Sequence, residues 1–179
     1  MNAANLSFGS NPLPDPDPTP ASREVVGGLG TPFTFEVLSD VLAIGLDAFG
    51  LSQIVFESDT AANLPASGVN FVVLQEFGPP MNAGAAQDLI GDAITDPGPG
   101  FFIYFNTMLG VPRLVFSRDL SDPDADLAIL ARFTNLTQAD MPTFTEANAA
   151  AIPEPSSFVL MSTPLLLVSF RALCRKRTR

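Results

Sequence analysis

Phe101-Phe102-Ile103-Tyr104-Phe105, Asn106-Thr107-Met108-Leu109-Gly110 and Pro112-Arg113-Leu114-Val115-Phe116-Ser117 form the stretch that decides the fold. Two runs rich in aromatic and β-branched residues flank a connection of hairpin length, so a pair of antiparallel strands is predicted. The Asp96-Pro97-Gly98-Pro99-Gly100 turn stands immediately before the pair.

The same punctuation runs outward on both sides. Upstream, Pro32–Leu38, Val41–Leu46, Ser52–Glu57 and Gly68–Leu74 are short apolar runs between Gly, Pro, Asn and Asp clusters. Met81 to Ile94 breaks this pattern: its Ala, Gln and Leu content predicts one short helix over 82–94, with Gly84 and Gly91 against it. Downstream, Leu127–Phe133 fits either a helix capped near Asp122-Pro123 or a strand, and the turn-bounded spacing favours the strand. Strands this short and this closely spaced predict a mainly β domain, an antiparallel sandwich or jelly roll with one short helix. It is expected over residues 30–145, after an extended Pro-rich leader (1–29) and before a small-residue linker (146–152).

Composition narrows the chemistry. The chain has 46% hydrophobic and 16% charged residues, which fits a packed body better than a disordered one. Its 15 phenylalanines fall within strand-like runs and read as core. There is no histidine, and the single cysteine is Cys174, which argues against transition-metal sites and excludes a Ser-His or Cys-His nucleophile. Residues 1–154 hold four basic and nineteen acidic residues, a net charge of −15 that nucleic acid phosphates would repel. No cofactor is expected.

Asp119, Asp122, Asp124 and Asp126 form the densest acidic cluster. Asp122, Asp124 and Asp126 have the carboxylate spacing that opens a calcium loop, and are the candidate metal ligands. The rest of that pattern fails, with Leu127 where glycine is needed and Phe133 where a bidentate glutamate is needed. An acidic turn between strands is the plainer reading. Paired carboxylates for glycoside hydrolysis are a further possibility in an acidic sandwich, but the chain has no tryptophan to stack a sugar. No catalytic residue is assigned and no enzyme is expected.

The end of the chain has a different character. Pro153-Glu154-Pro155 is biased to an extended, accessible shape. Phe158 to Phe170 carries no charge and reaches about 20 Å as a helix, against about 30 Å for a bilayer core. Counting from Ser156 to Cys174 gives 19 residues, about enough to span, with a kink expected at Pro164. A buried core helix would show polar positions along one face, and this run has almost none. Arg171, Arg175, Lys176, Arg177 and Arg179 follow and predict a cytoplasmic C-terminus.

These three features in this order resemble the PEP-CTERM sorting signal of exported bacterial proteins. The resemblance covers residues 153–179, and Pro164 departs from the small and aliphatic residues usual at that place. It implies membrane insertion through a single helix, then recognition and cleavage near Pro153, Glu154 and Pro155 by an exosortase-type processing enzyme. Membrane lipid and that enzyme are the implied partners, and the cell surface or extracellular matrix the implied destination. Residues 101–144 are also similar to stretches in other exported proteins carrying this signal, of unassigned activity. Met1 to Pro20 has neither positive charge nor an apolar run, so it is not a secretory signal. The expectation is a start downstream of such a signal, or a tail that directs insertion alone. A structural or adhesive role is the leading expectation, with a calcium- or carbohydrate-binding module next and a hydrolase last.

Overall fold

In the computed structural model, residues 5–14, 22–76, 78 and 81–152 are described. The chain runs β1 (Asn5–Phe8), β2 (Val25–Val26), β3 (Thr31–Phe33), β4 (Val41–Ile44), β5 (Phe56–Asp59) and β6 (Phe71–Leu74). There follow α1 (Ala83–Ala93), β7 (Gly100–Asn106), β8 (Val111–Ser117), β9 (Leu127–Phe133) and β10 (Ala149–Ala151). The fold is mainly β, with two sheets and one α-helix among the described residues.

The hairpin forms as its sequence predicts. β7 and β8 pair antiparallel with Ile103 opposite Leu114, and the turn closes through Gly110 N–H to the Asn106 carbonyl at 2.8 Å. The Asn106 side-chain oxygen accepts from Leu109 N–H at 2.9 Å, and Gly110 takes a φ of 67° that favours glycine. The ambiguous Leu127–Phe133 is a strand, antiparallel to β8.

Beyond these three strands the expected antiparallel pattern is overturned. β5 pairs parallel with β6, β6 parallel with β7, and β2 and β3 both parallel with β9. The large sheet therefore runs β2-β9-β8-β7-β6-β5, with β3 joined to β9, and the small sheet β1-β4-β10 is parallel throughout. A jelly roll needs antiparallel neighbours, so that topology is excluded for the described strands. The reason lies in the connections. β6 reaches β7 through α1, and β5 reaches β6 through an eleven-residue link; such crossovers return a strand in the same direction. β6 reflects this by burying all four of Phe71, Val72, Val73 and Leu74, the continuous apolar signature of a strand covered on both faces.

Alternation along the strands makes two cores. Phe71, Val73, Phe101, Ile103, Leu114, Phe116, Ala131 and Phe133 face Leu6, Leu42 and Ile44 of the small sheet. Val72, Leu74, Phe102, Tyr104, Val115, Leu127 and Ile129 face Ala83, Ala86 and Ile90 of α1. The helix buries Ala83, Ala86, Gln87 and Ile90, one face at the α-helical spacing, and the Asn82 side chain caps it by accepting from Ala85 N–H at 2.9 Å. Gly84 and Gly91, which argue against a helix in isolation, are where neighbours press on it. A Cβ at Gly91 would sit 2.7 Å from the Pro123 nitrogen, and the Arg23 guanidinium occupies the space above Gly84.

Two segments read as leader and linker belong to the domain. Asn5–Phe8 and Ala149–Ala151 flank β4 in the small sheet, where Leu6 is buried and Ala149 packs on the core. The expected sorting motif and membrane helix, over 153–179, lie outside the described residues. Among the described residues no helix is long and apolar enough to cross a membrane.

A local acid sensitivity arises at the 3-10 turn Gln138–Thr143. The Asp140 carboxyl is held below its ordinary value by the Thr137 backbone N–H and by the Thr137 hydroxyl. Its stabilising contribution is present above the ordinary carboxyl range and is lost as pH falls through the lowered value. Asp140→Asn is expected to flatten the acid limb of the stability–pH profile slightly, as read by denaturant midpoints between pH 5 and 2.5.

Candidate functional site

The acidic cluster lies on the link from β8 to β9. Asp119 Oδ1 accepts from Gly98 N–H at 3.0 Å, Ser121 N–H at 2.9 Å and the Ser121 hydroxyl at 2.8 Å. Asp122 Oδ1 accepts from Asp124 N–H at 2.9 Å, closing an Asx turn. Asp126 Oδ1 accepts from Glu24 N–H at 2.9 Å, and its other oxygen lies 3.5 Å from Arg118 Nε. Asp124 projects into solvent 3.7 Å from Arg23.

The link is fastened from beneath by Gln87, which is fully buried on α1. Its Nε2 lies within donating distance of the carbonyls of Asp119 (3.1 Å), Leu120 (3.2 Å) and Asp122 (2.8 Å). The Arg23 guanidinium adds contacts to the Pro123 carbonyl and the Asp88 carboxylate. These bonds fix the backbone by satisfying its polar groups, and the carboxylates of Asp119, Asp122 and Asp126 are spent on that task. Asp122, Asp124 and Asp126 are not gathered around one point: one caps its own turn, one faces Arg23 and one binds the strand entrance at Glu24. Among the described residues no group of three or more His, Cys, Asp or Glu is placed to hold a metal ion.

A calcium titration checks this arrangement. Millimolar calcium is expected to move the melting temperature by less than about 1 °C, whereas a bound ion at one hundred times Kd would add about 2.7 kcal/mol. A rise of several degrees that vanishes in the Asp122→Ala, Asp124→Ala double variant would contradict it.

Two shallow depressions mark the surface. One, of about 260 Å³, is lined by Ser52, Gln53, Asn70 and Asp96 among others. Its polar groups serve the fold: Asn70 bridges Val55 N–H and the Gln53 carbonyl, and Asp96 accepts from Gly68 N–H. The second, of about 370 Å³, is formed by Ala61, Ala62, Leu64, Leu89, Asp92 and Ala93, with Asp92 its one charged side chain. Neither brings together an acid, a base and a nucleophile.

A set of polar side chains that sequence reading passed over lies on the helix-facing side of β7, β8 and β9. Tyr104, Arg113 and Arg132 are register neighbours there, and Arg113 is only 5% exposed. Arg113 and Arg132 were visible as two of only four basic residues in 1–154, each inside an apolar run. Their meeting required the β8–β9 register. Comparison with protein-family models, with characterised proteins and with solved structures finds no match for the chain.

Proposed function

We propose that the chain is an exported protein, sorted and processed at the membrane through its PEP-CTERM-like tail, whose β-rich body serves a structural or adhesive role at the cell surface or in extracellular matrix. The observation that carries this is the order of Pro153-Glu154-Pro155, an uncharged apolar run and five basic residues. In the proposal, residues near 156–174 insert as a single helix with the C-terminus cytoplasmic. Membrane lipid and an exosortase-type enzyme are the partners. The body's chemistry is compatible with a non-catalytic role, since its acidic turn carboxylates are engaged in holding backbone. β10, the last strand among the described residues, ends at Ala151, so the processing motif follows it by a single intervening residue.

The test is a pair of variants in a host that carries an exosortase. Replacing Pro153, Glu154 and Pro155 with alanine is expected to leave insertion intact and stop cleavage, so that full-length protein accumulates in the membrane fraction. Neutralising Arg175, Lys176, Arg177 and Arg179 is expected to loosen orientation and retention before processing. Fractionation and mass by immunoblot read both. Release and shortening of the triple-alanine protein at the normal rate would overturn the sorting reading.

A further inference from the structure

We propose that Arg113 and Arg132, with the Tyr104 hydroxyl, form a binding site for a carboxylate group. Arg113 stands opposite Tyr104 on one side and opposite Arg132 on the other. Directly opposed residues of antiparallel strands project from the same face, so three hydrogen-bond donors share one strip of sheet.

Their bonds leave donors over and no acceptor. Arg113 donates through one terminal nitrogen to the Tyr104 oxygen at 3.3 Å and through the other to the Gly28 carbonyl. Its Nε is buried and has no partner. The fully buried Tyr104 oxygen also accepts from the Asn106 side-chain amide at 3.2 Å. That amide cannot be turned to accept instead, because its oxygen already takes Leu109 N–H at 2.9 Å. The tyrosine proton is therefore left to donate, with no acceptor among the described residues. Arg132 Nε is likewise buried and unpartnered. Among the described residues neither arginine forms an ion pair, although the chain carries 19 acidic residues.

A buried guanidinium without a counter-charge is costly, and two facing each other across a strand pair add repulsion. An incoming anion removes both penalties. Buried donors alone would also accept a water molecule, but a water leaves the two positive charges uncompensated. A planar carboxylate matches the fork of a guanidinium with two parallel bonds. The net charge of −10 disfavours doubly charged anions more than a monoanion. Arg113 is the buried member of the pair, and Arg132, half-buried, is the one nearer solvent. The ligand class is a monocarboxylate, such as an acidic sugar or an organic acid. Processing of the tail has no bearing on this site.

The experiment titrates the full-length chain in detergent with acetate and with galacturonate, at constant ionic strength made up with chloride. Sulfate provides a third arm. Saturating carboxylate is expected to raise the melting temperature by about 5 °C. Arg132→Gln gives up no side-chain hydrogen bond among the described residues, so it should melt in chloride at or above the parent temperature while losing at least tenfold in carboxylate affinity. No carboxylate-specific rise would overturn the proposal, as would an equal rise in Arg132→Gln or a rise confined to sulfate.

Discussion

Phe101→Ala is expected to destabilise the domain by about 3–5 kcal/mol, the range for removing a buried aromatic ring from a packed core. Phe101 is fully buried on β7, in the middle of the large sheet. Its ring centroid lies 4.8 Å from that of Phe49, 5.3 Å from Phe116 and 6.1 Å from Phe71. Those partners come from the turn after β4, from β8 and from β6, so one truncation loosens contacts with all three. Phe71 and Phe116 sit on backbone fixed by ladder hydrogen bonds, which limits collapse into the cavity. Phe105→Ala, on the same strand and face but only partly buried, is the control, at roughly 1–2 kcal/mol. Denaturant unfolding of both variants measures the difference. A cost for Phe101→Ala below about 1.5 kcal/mol would mean that this aromatic cluster is not the packed centre described.

Gly27→Ala follows at about 2–5 kcal/mol, combining the left-handed backbone penalty with overpacking. Gly27 has a φ of +88° and lies in the turn that carries the chain from β2 to β3 along the edge of β9. A Cβ there would fall on the Ile129 carbonyl oxygen, with the Ile129 carbonyl carbon at 3.0 Å and its nitrogen at 3.1 Å. This is where β9 breaks register with β8: Leu114 faces Ala131 while Val115 faces Ile129. The β2–β3 turn passes the bulge at close range, and only a residue without a side chain fits. Gly28→Ala supplies the contrast. Its φ is +56° and its space is open, so about 1–2 kcal/mol of backbone strain should be the whole effect. Equal losses at the two positions would remove the steric part of the explanation.

Where the chain turns back within a few residues, its sequence states the outcome. Phe101–Phe105, the Asn106–Gly110 connection and Pro112–Ser117 carry their pairing in their own spacing. The helix over 82–94 was legible from its composition, and the strand at Leu127–Phe133 only as the favoured of two readings. Strand direction across a crossover was not, because nothing in Phe56–Asp59 or Phe71–Leu74 records which neighbour it will pair with. The one available hint was the unbroken Phe71-Val72-Val73-Leu74 run, which lacks the polar alternation of a strand with a wet face. Asn5–Phe8 was hidden for the same reason: it pairs with β4, more than thirty residues further along. The Asp119–Asp126 cluster was legible as a turn. The donor set of Tyr104, Arg113 and Arg132 depends on register, and a bulge between Leu114 and Val115 decides it.

The small sheet also has a mechanical consequence. β1 and β10 flank β4 and run in its direction, with Phe8 and Ala151 both level with Ile44. Tension applied between residues 5 and 152 therefore pulls the two outer strands in opposite senses along β4. The bonds of both ladders, together with Gly45 N–H to Phe8 and Ile152 N–H to Ile44 at 2.8 Å each, are loaded at once in shear. A hairpin held by its two ends would unzip rung by rung, whereas this arrangement makes the outer strands slide, and the force needed rises with the number of rungs sharing it.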